Sequence, residues 1–326
     1  MAKPKVGFYW CASCGGCEEA VVDLAENILT VVEAVDIVFW PVALDFKKED
    51  VENMADQEID VIFINGAIRM SEQEEMLNLL RKKSKLVIAF GSCAHSGGIP
   101  GLANFWNKDT IMSEVYKETP STVKNNEIKP LTEYKENGYT LDLPEFYQSV
   151  KSLDQMTDVD YYLPGCPPSV DLIVDAVMAI LKGELPPKGS VLAPNKSLCD
   201  ECDRNKSKPD KLLIKDVKRV FEVEVDPEKC FLAEGVICMG PATRGGCGNR
   251  CIDGHMPCTG CFGPLDKVID QGAKAVSAIA SIIDFDEDDE IENVVDKIID
   301  PAGTFYRYSL PTSFLHRKNP DTIKPD

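Results

Sequence analysis

The first half of the chain alternates short, continuous apolar runs with stretches of helical spacing. Lys5 to Trp10 (KVGFYW), Val35 to Trp40, Ile59 to Ile64 and Leu86 to Phe90 are rich in β-branched and aromatic residues and nearly unbroken. That is the pattern of strands covered on both faces of a parallel sheet. Ala20, Val21, Leu24, Ile28, Val31 and Val32 recur at helical intervals, which predicts a helix from about Glu18 to Glu33. Ser71 to Lys83 reads as another helix, with Ser71 as N-cap and Glu74 as its capping-box partner. A strand at Val159 to Leu163, the turn PGCPP and a helix from Val170 to Lys182 continue the alternation. The class predicted is α/β, with a doubly wound parallel sheet.

Residues 103–157 break this rhythm and read as a polar insertion rich in lysine, glutamate and asparagine. Pro186 and Pro187 mark a boundary, because a helix rarely continues into consecutive prolines. Two domains are therefore predicted, 1–186 and 187–326. Beyond the boundary, cysteine, glycine and proline interrupt every short run, with helical spacing only over Leu265 to Ile282 and around Glu290 to Ile299. A segment of that kind buries too little apolar surface to fold comfortably alone, and bound metal is the usual remedy. The acidic run DFDEDDE at 284–290 reads as a solvated loop.

Charge and composition narrow the function. A net charge of −19 without a dense basic run argues against nucleic acid as a partner. The N-terminus has no secretory apolar region, and the best candidate for a membrane span, Val170 to Leu181, is too short. A cytoplasmic protein with no membrane contact of its own is expected. In a reducing compartment, an odd count of 13 cysteines, seven of them in C-x-x-C spacings, points to metal or redox chemistry rather than disulfides.

Cys11, Cys14 and Cys17 follow the first predicted strand, Cys93 follows LVIAFGS, and Cys166 follows YYLPG. In a parallel doubly wound sheet all strand carboxyl ends lie on one edge, so thiols distant in sequence converge there. Glycines in the same turns, among them Gly91 and Gly98, allow close approach to a cluster and present amides to its sulfur. A second group, Cys199, Cys202, Cys230, Cys238, Cys247, Cys251, Cys258 and Cys261, packs eight cysteines into 63 residues. Spacing alone fits two zinc sites as well as two cubane clusters.

The segments CASCGGCEE, NGAI at 65–68, GSCAHSGGIPG at 91–101, LPGCPPS at 163–169, CFLAEGVICMGPATRGGC and GHMPCTGC carry a resemblance over nearly the whole chain. Through them the sequence resembles the small subunit of nickel–iron hydrogenases. The resemblance implies a flavodoxin-like sheet followed by an irregular iron–sulfur domain. It also implies a proximal cluster on Cys14, Cys17, Cys93 and Cys166, a medial cluster on Cys247, Cys258 and Cys261, and a distal cluster on Cys199, Cys202, Cys230 and Cys238. Many members carry histidine where Cys199 stands and proline where Cys251 stands. With cysteine at both places, Cys251 would complete the medial set, and three low-potential 4Fe-4S clusters are expected. Cys11 reads as a non-ligating thiol that precedes the motif, with replacement of Cys14 in the set as the alternative.

The chain lacks the cysteine pairs that hold nickel and iron in the large subunit, so the resemblance implies a relay working beside that subunit. It is similar above all to the cytoplasmic, methyl-viologen-reducing, deazaflavin-non-reducing type of methanogens. Electrons would leave through a small iron–sulfur subunit to heterodisulfide reductase. The deazaflavin-reducing sister enzyme, the small cluster subunit of NADH-quinone oxidoreductase and a zinc-stabilised interaction protein are the alternatives. Glu19 is a candidate for a proton path, or a carboxylate favoured by the helix dipole. His95 and His255 are expected to hydrogen-bond near clusters rather than ligate them, and His316 lacks metal-pair spacing.

Overall fold

The structure, a computed structural model, describes residues 3–123, 128–284 and 288–315. His316 and residues 285–287 of the acidic run lie outside the described residues.

Five of the apolar runs form one parallel sheet: β1 (Lys5–Trp10), β2 (Asp36–Phe39), β3 (Ile59–Asn65), β4 (Ser84–Phe90) and β5 (Tyr161–Leu163). Their spatial order is β2-β1-β3-β4-β5, and Phe8 pairs with Phe63, Ile64 with Ala89 and Ala89 with Tyr162. This is the flavodoxin-like order, reversing between β1 and β3. Successive side chains on a strand point to opposite faces. Phe8, Val61, Phe63, Ile88, Phe90 and Leu163 accordingly pack under the helices Gly16–Val22 and Val170–Lys182. Ile62, Ile64, Val87 and Ala89 pack under Lys48–Glu52 and Ser71–Lys83. Both faces are dry, as the unbroken apolar runs predicted.

Two local expectations are corrected. The helix read over 18–33 is two helices, Gly16–Val22 and Asn27–Ala34, separated by a turn in which Ala25 takes φ 49°. The turn carries Leu24 fully into the core, and the second helix lies at the edge of the same core, with Ile28, Val31 and Ala34 half-buried against it. At Ser71–Lys83 the amides of Arg69 and Met70 are capped by the Gln73 side chain at 2.8 and 3.0 Å, not by Glu74. Ser71 instead accepts from the Glu145 amide at 2.9 Å, and Glu74 accepts from the Tyr147 hydroxyl.

The polar stretch 103–157 is more ordered than its composition suggests. It contains an exposed hairpin, Glu133–Glu136 with Tyr139–Asp142, and a strand Phe146–Lys151 that pairs antiparallel with Ile68–Met70. Past residue 187 the chain is mostly turns and short helices, of which Gln271–Ala280 is the most regular, shorter than the helical spacing over 265–282 implied. This part grips the sheet. Ser92 donates to the Cys261 carbonyl, Ser96 Oγ and the Gly98 amide reach the Tyr308 carbonyl at 2.7 and 3.0 Å, and Pro311 fills the space above Gly97. Arg244, almost fully buried, pairs with Asp266 and donates to the carbonyls of Pro264, Ala193 and Pro194. No helix among the described residues is long and apolar enough to cross a membrane.

Asp160 ties the sheet edge together. Its carboxylate meets Arg81 and Lys188 at 2.6 Å each and accepts from the Val87 amide at 2.8 Å. Burial raises its pKa, but the bonds from Lys188, Arg81 and the amide outweigh that and hold it below the usual value. A depressed carboxylate stabilises the fold above its unfolded pKa of about 4, and the contribution is lost as pH falls through the folded value. Asp160→Asn is expected to cost about 2 kcal/mol in a urea melt at pH 7, a difference that shrinks in melts run below about pH 4.

Candidate metal centres

Three strands deliver thiols to one edge of the sheet. Cys14 and Cys17 follow β1, Cys93 follows β4 on the helix Ser92–Ser96, and Cys166 follows β5. These four stand close enough that all six pairs among them repel when ionised. Burial and then that repulsion push the Cys17 and Cys166 thiols up, and Cys93 up to about 12. Cys17 and Cys93 are buried, whereas Cys14 and Cys166 face outward. Gly91 and Gly98 line the cradle with φ 86° and 55°. A Cβ on either would lie 2.3 Å from Cys17 Sγ or 2.5 Å from Cys93 Sγ, so only glycine fits both the backbone and the space.

A polar chain beneath the first loop fixes its position. Ser13 Oγ donates to Asn65 Oδ1 at 2.7 Å, Asn65 Nδ2 donates to Glu18 at 2.8 Å, and Trp40 Nε1 donates to the other oxygen of Glu18. Burial raises the Glu18 pKa against the pull of those two donors. The carboxylate buried beside the cysteines is thus Glu18, whereas Glu19 lies exposed. The sequence held a signal for this, because Glu18 sits three residues before the buried Val21, on the apolar face of its helix.

Cys11 stands apart. It packs on the opposite face of the sheet with Phe39, Ile62 and Ile64, and burial followed by Glu18 and Glu72 raises its pKa, with no other thiol contributing. It behaves as an apolar core residue.

The remaining eight thiols surround two further spaces. Cys199, Cys202, Cys230 and Cys238 line a small cavity together with Arg204, Lys208, Phe231 and Gly240. Cys247, Cys251, Cys258 and Cys261 line a larger one, whose wall also includes Cys166. Burial comes first in raising Cys199, Cys238, Cys247, Cys258 and Cys261, with Cys238 and Cys261 reaching about 12. The sets are joined in order. The Cys166 amide donates to Cys261 Sγ, and the Cys258 amide donates to Cys238 Sγ at 3.4 Å.

Buried thiols that repel each other are held as thiolates only if positive charge stands between them. Among the described residues no three Cys, His, Asp or Glu stand close enough to hold a single metal ion. Four thiols with backbone amides aimed at their sulfurs suit an iron–sulfur cluster, and at the sheet edge Gly91 and Gly98 leave room beside Cys17 and Cys93 for one. His95 packs against Tyr162 with ring centroids 4.8 Å apart, and burial pushes its pKa down to about 4, leaving a neutral ring. His255 Nδ1 lies 2.9 Å from Arg204 Nη2 at the edge of the smaller cavity.

Cys11→Ala is expected to leave the iron content of the purified chain unchanged and to cost about 1–2 kcal/mol in a denaturant melt. Gly98→Ala, by pushing on Cys93, is expected to lower iron content by the share of one cluster. Equal iron in the Gly98 variant and the parent would show that the cradle is not at this strand edge.

Known proteins share this arrangement. Residues 14–180 match the family described as NADH ubiquinone oxidoreductase, 20 Kd subunit, a span that holds Cys14, Cys17, Cys93 and Cys166. The iron-sulfur subunit of the F420-non-reducing hydrogenase of Archaeoglobus profundus is 41% identical over 96% of this chain and 98% of its own length. The corresponding subunit of the F420-non-reducing hydrogenase of Methanothermobacter marburgensis is 39% identical over 97% of each chain. In fold, a chain of the [NiFeSe] hydrogenase from Desulfovibrio vulgaris Hildenborough is similar, with a TM-score of 0.54 and 16% identity over 82% of this chain and 95% of that one. Identity that runs through both the sheet and the cysteine-rich segment places this chain in the family of these F420-non-reducing hydrogenase subunits.

Proposed function

We propose that this chain is the relay of a nickel–iron hydrogenase, holding three 4Fe-4S clusters in series. Cys14, Cys17, Cys93 and Cys166 would hold the proximal cluster, Cys247, Cys251, Cys258 and Cys261 the medial, and Cys199, Cys202, Cys230 and Cys238 the distal. Residues 1–186 form the domain of the first site and 187–326 that of the other two. When bound, such clusters supply one-electron oxidation and reduction.

The observation that carries the reading is the order of contacts between the sets. Cys166 touches Cys261 through its amide, and Cys258 touches Cys238 the same way, so the medial thiols lie between the other two groups. The outward-facing Cys14 and Cys166 put the first site at a surface, where a catalytic large subunit would pass electrons in. Amides and the Thr243 hydroxyl aimed at Cys238, Cys247 and Cys258 stabilise thiolate charge without adding a net charge of their own. The names of the relatives favour the deazaflavin-non-reducing type over its sister; for that type a small iron–sulfur subunit and heterodisulfide reductase in the cytoplasm would be the onward acceptors. Among the described residues, thiols too far apart to share a single ion weigh against the zinc alternative.

Iron analysis of the anaerobic protein is expected to give about twelve iron atoms per chain. A redox titration of the parent is expected to show no three-iron signal after oxidation. Cys251 is exposed at the rim of its cavity, so Cys251→Ser is expected to give that signal on mild oxidation while the other two clusters persist. A colourless protein rich in zinc would overturn the relay.

A further inference from the structure

The donors described at the other thiols are neutral: backbone amides at Cys93, Cys238, Cys247 and Cys261, and an amide with the Thr243 hydroxyl at Cys258. Cys199 is different. The ammonium of Lys208 lies 3.6 Å from its sulfur, part-buried, in the cavity that Cys199 shares with Cys202, Cys230 and Cys238.

Local structure holds Lys208 there. Ser207 is pinned on both sides, its hydroxyl donating to the Arg204 carbonyl at 2.7 Å and accepting from the Cys230 amide at 2.8 Å. Pro209 keeps the Lys208 backbone extended, at φ −67° and ψ 133°, and the Lys208 amide returns to the Asn205 carbonyl at 3.2 Å. The other cation on this cavity, Arg204, is committed to the carbonyls of Asp226, Lys229 and Ile252, to His255 and to the face of Phe231. At the neighbouring set charges of both signs stand near, the exposed Arg250 being among the residues that line its cavity. The Glu201 carboxylate acts on Cys247, partly offset by Lys196 at 3.2 Å.

We infer that Lys208 is a positioning charge for the relay, raising the reduction potential of the distal cluster above what four thiolates alone would give. The inference rests on the assignment of Cys199, Cys202, Cys230 and Cys238 to that cluster. Reduction adds one electron and therefore one negative charge to the site. An ammonium beside a ligating sulfur stabilises the reduced state more than the oxidised one, so the potential rises. The ammonium in direct contact with a distal thiol favours the electron at that end of the relay. The charge of Lys208 also offsets the extra thiolate of a site ligated by cysteine alone.

The test uses the assembled hydrogenase complex, with electron paramagnetic resonance followed during a redox titration. Cys199→Ser first identifies the distal signal, as the one that it alters or removes. If Cys199→Ser leaves iron content and every signal unchanged, the distal assignment fails, whatever Lys208 does. With the signal identified, Lys208→Met and Lys208→Gln are expected to shift its midpoint to a more negative value, Lys208→Arg to keep it near the parent, and the other two midpoints to stay in place. A distal midpoint unmoved in the Met and Gln variants at full iron content would overturn the inference. So would loss of the distal cluster in both, which would make Lys208 a holder of the cluster rather than a setter of its potential.

Discussion

Thiols that are buried together and repel one another when ionised are the constraint on which the rest of this molecule depends. Each of the three sets takes sulfur out of water and brings it beside more sulfur, so thiolate becomes unfavourable until iron supplies positive charge. Cluster binding and folding are therefore linked, and protons must leave as iron enters. The glycine cradles at Gly91 and Gly98, the amides aimed at sulfur and the single lysine at Cys199 all answer the same electrostatic cost.

The two halves of the chain meet it differently. In the first half a sheet with two dry faces supplies a rigid edge, and the thiols need only follow the right strands. In the second half little regular structure exists to place eight cysteines, and three of them, Cys230, Cys238 and Cys258, are themselves part of the core. That region borrows rigidity from the sheet through Ser92, Ser96, Gly97 and Gly98, and from Arg244, whose guanidinium gathers carbonyls from separate loops. The same grip brings Cys261 against Cys166 and so keeps successive sites in contact.

Apolar periodicity was a good guide where burial is uniform. All five strands and the helices at 71–83 and 170–182 were legible because their residues either face a core on both sides or present one consistent stripe. It failed at Ala25, where an unbroken helical spacing hides a turn because both helices pack on the same core, and at Ser71, whose hydroxyl is taken by the distant Glu145 amide. Cys11 could not be separated from Cys14 by spacing, since the distinction is which face of the sheet each one meets.

From the sequence alone came the class of the fold, the convergence of cysteines after β1, β4 and β5, and the family with its implied ligand sets. These depend on local periodicity, on strand polarity and on motifs contiguous in the chain. Tertiary structure alone decided that Cys166 and Cys258 bridge successive thiol sets, and that Lys208 reaches Cys199. Those facts depend on distances between segments far apart in sequence, or on how a short polar loop folds back over a cavity, and no residue pattern encodes either until the core has packed.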